Sequence, residues 1–259
     1  GGAIVALTYG TFWGNFGDEK DTGTTQLHAL GSRMVLPDGR AFRYAENAGV
    51  ALHAGVICEA AVATAADDVD VPLGAQASVG DKTITVTAQG TIAKDKYADG
   101  FIFLNDGTGE GTIYKIASNA AGTNGNTMVI TLYDGDAVAV ATDSTAANTL
   151  CGLSISTYKD VIISPTTVTN VAIGVSTTTV AIDYYCWLQT WGEAAVLSNS
   201  QTSTTYGKHV RVGGASTAGG YEDLKRDGSN EDEQVIGVQM NVVPTGSGDY
   251  GLIFLQIAP

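Results

Sequence analysis

Phe101-Ile102-Phe103-Leu104, followed by Asn105-Asp106-Gly107 and then by Thr112-Ile113-Tyr114-Lys115-Ile116, reads as a strand, a turn and a returning strand. A short apolar run broken by an Asn-Asp-Gly turn is too brief for a helix and has the β-branched and aromatic content of a sheet. Working outward, Lys82-Thr83-Ile84-Thr85-Val86-Thr87 alternates cleanly, with Ile84 and Val86 on one face and threonines on the other. Met128-Val129-Ile130-Thr131-Leu132-Tyr133 does the same with Met128, Ile130 and Leu132, between the turn Gly122–Asn126 and the break at Asp134-Gly135. These runs predict an inserted antiparallel β domain over 73–160.

On its N-terminal side, Arg33-Met34-Val35-Leu36, Pro37-Asp38-Gly39 and Arg40-Ala41-Phe42-Arg43-Tyr44 predict a second hairpin, with Pro fixing φ and Gly supplying the left-handed turn position. This hairpin opens the first part of a β domain at 33–72. Within that part Val50–Val62 fits a strand and Glu59–Ala66 a short helix, and periodicity does not choose between them. Residues 1–32 mix Tyr9, Phe12, Trp13 and Phe16 with glycines and charges at no steady period, which predicts an extended arm covered by its own domain or by a neighbouring subunit.

The C-terminal part, 161–259, is expected to complete the domain begun at 33–72. Val180, Ile182, Tyr184, Cys186 and Leu188 fall on one face of a predicted strand, Tyr185, Trp187 and Trp191 on the other. Ile236, Val238, Met240 and Val242 alternate with Gly237, Gln239 and Asn241 as a half-buried strand, and Leu252–Ile257 is a terminal apolar one. The fold class expected is all-β: two antiparallel β-sandwich or barrel-like domains with an extended N-terminal arm.

Composition agrees with a turn-rich β protein. Gly accounts for 33 of 259 residues and Pro for only 5, well above the roughly 7 % glycine of an average chain and unlike collagen. With 27 acidic against 13 basic residues the formal charge is −14, a sign that repels phosphate backbones, so no nucleic-acid partner is expected. The most weakly polar stretch, 48–66, contains His53 and Glu59 and is too alanine-rich to span a membrane. Gly1-Gly2-Ala3-Ile4 carries no basic leader, so no signal peptide is expected. Cys58, Cys151 and Cys186 are odd in number and widely spaced, which reads as three buried thiols in a reducing compartment.

Motifs that would carry chemistry have plainer readings. Gly246–Gly251 has the G-x-G-x-x-G spacing but leaves no room for the helix that aims amides at a pyrophosphate, so a hairpin loop is expected. Asn105–Gly111 and Asp134-Gly135-Asp136 offer too few oxygens for calcium. His28, His53 and His209 are isolated, which disfavours zinc, and Gly214–Ala218 fails the nucleophile-elbow pattern at its last position. The acids Asp18-Glu19-Asp21, Asp67-Asp68-Asp70, Glu222-Asp223 and Glu231-Asp232-Glu233 read as solvated loops. No catalytic, cofactor or metal residues are expected.

The run Leu36–Gly49, the strand-turn-strand from Tyr97 through Ile116, and Gly192 among its flanking aromatics resemble virion structural proteins of tailed bacteriophages, most closely capsid decoration (cement) proteins. The resemblance implies a non-enzymatic, often trimeric β protein, assembled in the host cytoplasm. It would sit on the outer capsid surface and bridge major capsid protein subunits. The interface expected from the arm and first hairpin comprises Tyr9, Phe12, Trp13, Phe16, Arg33, Arg40, Phe42, Arg43 and Tyr44. The alternative is a tail-fibre or tail-tip adhesin that stacks a cell-surface glycan on Tyr184, Tyr185, Trp187 and Trp191; a polysaccharide-degrading enzyme ranks third for want of a carboxylate pair.

Overall fold

Burial of alternate side chains, set by the two-residue period of extended backbone, governs nearly every element of the chain. The computed structural model describes residues 9–62, 64, 68–143, 145, 148–199, 206–213, 217–224, 234–241 and 248–259. Among these the regular elements are strands, apart from a 3-10 turn at Asp18–Lys20. In chain order they are β1 (Thr11–Trp13), β2 (Arg33–Val35), β3 (Ala41–Glu46) and β4 (Ile57–Glu59). Then come β5 (Val71–Pro72), β6 (Thr83–Thr87), β7 (Phe101–Asp106), β8 (Ile113–Asn119), β9 (Thr127–Leu132) and β10 (Leu150–Ser154). The rest are β11 (Ile162–Ile163), β12 (Ala172–Ser176), β13 (Tyr185–Leu197), β14 (His209–Val212), β15 (Tyr221–Asp223), β16 (Val235–Gln239) and β17 (Tyr250–Gln256). The chain divides into two compact units, residues 1–62 with 158–259, and residues 63–157.

The unit at 63–157 is a six-stranded sheet in the order β5-β10-β7-β8-β9-β6, antiparallel throughout. It nearly closes into a barrel, because Leu73 bridges Val86 and Gly74 donates its N–H to Thr85 O at 2.8 Å. The order β10-β7-β8-β9 is a Greek key, and closure leaves little open edge. Ile84, Val86, Ile102, Leu104, Ile116, Met128, Ile130 and Leu132 fill the interior. Phe101 and Phe103 of β7 face outward, and Lys115 Nζ stands 4.0 Å from the Phe101 ring centroid.

One acid expected in a solvated loop lies inside this unit. Asp68, 3 % exposed, accepts the hydroxyl of fully buried Tyr97 at 2.7 Å, and Lys96 Nζ is 3.6 Å from the same oxygen. Its other oxygen accepts the Thr64 N–H at 2.8 Å. A buried phenol needs an acceptor, and the carboxylate supplies it.

The unit of residues 1–62 and 158–259 is one sheet whose main path runs β1-β2-β3-β13-β17-β16-β14-β15, with β4, β11 and β12 joined to β13 off that path. Its axis is β13, 13 residues long. The first half of β13 pairs with β3 over Tyr185–Trp191 and the second with β17 over Trp191–Leu197. A register shift between Gln189 and Trp191 marks the handover, and Gly192 follows at φ +89. A bulge of this kind bends the strand and re-aims its side chains. The strand expected from Val180 therefore begins only at Tyr185, after a turn in which Ile182 is 49 % exposed, and alternation fails at Gln189 and Thr190, both buried.

A second bulge corrects β16. Arg211 pairs with Val235 and Val210 with Gly237, which leaves Ile236 as the extra residue. Ile236 and Gly237 are both buried, and the faces invert beyond them: Gln239 is 1 % exposed while Met240, expected inside, is 43 % exposed. Val242 lies outside the described residues. In the ambiguous 50–66 stretch only Ile57–Glu59 forms a strand among the described residues. Glu59 is fully buried and accepts from Ser164 Oγ (2.6 Å), Thr169 N–H (3.2 Å) and Oγ1 (3.1 Å), and Asn170 N–H (3.1 Å).

The three cysteines are free and buried. Burial pushes the Cys151 and Cys186 thiols up to about 12 and Cys58 well above its ordinary value.

Two variants test these supports. Tyr97→Phe removes the donor from Asp68 and is expected to cost about 1–3 kcal/mol in denaturant unfolding. Gly192→Ala places a Cβ in the left-handed region, 2.9 Å from Arg40 Cγ, and is expected to cost about 1–2 kcal/mol, read as a lowered melting temperature.

Candidate functional site

The N-terminal segment does not stand free as an arm within its described residues. β1 lies parallel to β2, with Thr11, Phe12 and Trp13 in register with Arg33, Met34 and Val35. Farther along, Gly23 and Tyr185 exchange backbone hydrogen bonds at 3.2 and 2.8 Å, and Thr177 Oγ1 donates to Glu19 O at 2.7 Å. Residues 1–8 of the expected arm lie outside the described residues.

Alternation along β1 separates the predicted anchors. Phe12 packs inward against Leu30, Met34, Leu36, Phe42, Tyr44 and Trp187. His28 sits within this cluster, its ring centroid 4.4 Å from Phe12, 5.1 Å from Tyr44 and 5.3 Å from Trp187. Burial pulls the His28 pKa below its usual 6.5, because the rings shield an imidazolium from water. Trp13, one position on, points the other way and is 81 % exposed; Phe16 is 65 % exposed.

Two expected interface residues need correction. Phe42 is fully buried and Tyr44 is 4 % exposed. Both rings fill the core of β2, β3 and β13, and no partner reaches them without opening that core. Tyr44 also accepts the Leu27 N–H at 3.1 Å. Arg33 and Arg43 lie directly opposite one another across β2 and β3, and Arg43 donates to Gly31 O at 3.2 Å and Pro259 O at 3.3 Å. Arg40 pairs with Asp38 at 2.7 Å, and Tyr9 lies at the surface.

β1 ends the sheet, with β2 as its only neighbour among the described residues. Arg33 N–H donates to Gly10 O and Gly14 N–H to Val35 O, both at 3.0 Å. In a parallel ladder alternate residues bond to one neighbour, so Gly10, Phe12 and Gly14 face β2 while the amides and carbonyls of Thr11 and Trp13 face outward.

The rings proposed for glycan stacking are engaged within the fold. Trp187 is 6 % exposed, Tyr185 stacks on Tyr44 at 5.8 Å and 7°, and Trp191 meets Phe254 edge-on at 5.6 Å. The turns considered for cations spend their oxygens locally: Asp106 Oδ1 accepts the Gly107 N–H, and Asp136 accepts the Lys115 and Ala137 N–H groups. Among the described residues no three His, Cys, Asp or Glu side chains cluster as metal ligands. Other acids read as solvated are Glu19, 5 % exposed, and Asp223, 7 % exposed; Glu222 pairs with buried Arg211 at 2.7 Å. Gly248–Gly251 leads into β17, a strand rather than a helix. Residues 214–216, 231–233, 246 and 247 lie outside the described residues.

Sequence reasoning missed a pocket beside the β13 bulge. β12 pairs with β13 only at Leu188 and Gln189, and beyond the bulge the two strands part. The turn at Gly55 occupies part of the gap, donating to Ser176 O at 2.6 Å and accepting the Leu197 N–H at 2.8 Å. A pocket of about 380 Å³ remains, lined in part by Glu19, Lys20, Arg40, Gln189, Glu193 and Tyr250. Gly192 was the available signal, since a glycine inside an otherwise aromatic strand marks a bulge or a close backbone approach.

Neither a protein family, nor a curated protein, nor a solved structure matches this chain.

The His28 cluster makes this region sensitive to acid. The unfolded chain protonates His28 near 6.5 and the folded chain at lower pH, so its contribution is full above that value and lost as pH falls through it. Melting temperature followed between about pH 7.5 and 5.5 is expected to fall less in His28→Phe than in the parent chain.

Proposed function

We propose that the protein is a non-enzymatic virion component that decorates and stabilises a phage capsid from its outer surface, as a homotrimer bridging major capsid protein subunits. The observation that carries the reading is Trp13, 81 % exposed on β1, beside the outward-facing backbone of that edge strand. A large aromatic ring next to an open strand edge combines two recognition devices. The ring fills a pocket on a partner, and the edge accepts an added strand. Exposed Phe16 extends the apolar surface. In this reading residues up to 32 are the docking segment, and the two compact units are separate β domains, antiparallel apart from the β1–β2 pair. A formal charge of −14 keeps the protein off packaged genome.

The experiment is co-sedimentation of Trp13→Glu with shells of the cognate major capsid protein. Association is expected to weaken by about tenfold or more, with no change in melting temperature because the ring lies outside the core. Full decoration by the variant would defeat the reading, as would a copy number in purified particles of only a few.

A further inference from the structure

The pocket beside the β13 bulge contains polar groups that the fold leaves unused. Gln189 is 1 % exposed and its Nε2 donates to Trp191 O at 3.2 Å and Glu193 O at 2.8 Å. Those bonds satisfy carbonyls at and just beyond the bulge. Its Oε1 makes no hydrogen bond among the described residues and is open to a ligand in the pocket that Gln189 lines. Glu19, 5 % exposed, accepts the Gly17 N–H through Oε2 and makes no other side-chain hydrogen bond among the described residues. Lys20 and Glu193 make no ion pair among the described residues, and Arg40 shares its charge with Asp38 through Nε alone. Tyr250 closes one wall, 48 % exposed. Its ring lies so close to Gly55 that a Cβ there would meet Cε1 at 2.5 Å.

These groups select a ligand class. The lining carries two carboxylates, one ammonium and one guanidinium, so its formal charges cancel. A phosphate would meet Glu19 and Glu193, and a guanidinium or ammonium would meet Lys20 and Arg40. A neutral ligand bearing many hydroxyls suffers neither repulsion. Each hydroxyl both donates and accepts, so one ring can give hydrogen bonds to Gln189 Oε1 and the carboxylates and take them from Lys20 and Arg40. The Tyr250 ring offers an apolar surface for the C–H face of such a ligand, which fits the usual mix of an aromatic wall with a few fixed polar groups. At about 380 Å³ the pocket lies near the lower end of the roughly 300–1,000 Å³ typical of small-ligand sites, a size for a mono- or disaccharide. We propose that this pocket is a binding site for a neutral pyranose sugar. It is separate from the β1 edge and from the aromatic face first considered for glycans.

The test uses the full chain and saturation-transfer NMR with glucose, galactose, N-acetylglucosamine and lactose, with inorganic phosphate and free arginine as charged probes. At least one sugar is expected to bind with a dissociation constant at roughly the millimolar level or tighter. Tyr250→Ala and Glu193→Gln are each expected to weaken it by about tenfold while leaving the melting temperature in place, since both residues are exposed. Three results would overturn the proposal: no transfer to any of the four sugars, sugar binding that both variants leave intact, or tighter binding of phosphate or arginine than of sugar.

Discussion

The bend in β13 is the constraint on which the larger unit depends. One strand cannot lie flat between β3 and β17 and serve both along its whole length, so it changes partner at Trp191 through a register shift and a left-handed glycine. On one side of the bend, Trp187 joins Phe42 and Tyr44 in an aromatic core; on the other, Ala194 and Val196 join Ile253 and Leu255 in an aliphatic one. Gln189 holds the bend by spending its amide nitrogen on two carbonyls. The pocket follows from the same bend, since β12 meets β13 for only two residue pairs.

Buried polar groups form a second layer of specification. Glu59 ties β4 to the 164–170 segment through four hydrogen bonds, and Asp68 closes on Tyr97. Removing one partner from either group would leave a charge or a phenol in a dry interior, which costs more than the pairing contributes. These contacts fix one arrangement where apolar packing alone would tolerate several.

Strands were legible wherever the two-residue period runs unbroken. Ile84 and Val86, and Met128, Ile130 and Leu132, announce their inward faces, and Phe101–Leu104 with its returning partner predicts the β7–β8 hairpin. Legibility fails at bulges, because one extra residue inverts every later side chain: Met240 emerges and Gln239 sinks. It fails too for acids such as Glu19 and Asp68, whose polar neighbours in sequence suggest a solvated loop although the fold buries them. The interface expectation counts the first hairpin's aromatics as surface anchors, whereas burial places them inside. Phe42 and Tyr44 hold the domain's own core, and only parity along β1 distinguishes Phe12 from Trp13. The pocket was illegible because its groups come from six separate stretches of chain.

The three sequestered thiols have a practical outcome. With their acidities so weakened, almost none is present as the reactive anion at neutral pH, and none meets solvent. The folded molecule therefore resists alkylation, air oxidation and accidental cross-linking to its neighbours without any bridging bond of its own. Each cysteine becomes chemically visible only when the interior around it opens, so labelling by a maleimide dye keeps time with unfolding: Cys151 reports on the barrel, Cys58 and Cys186 on the larger unit.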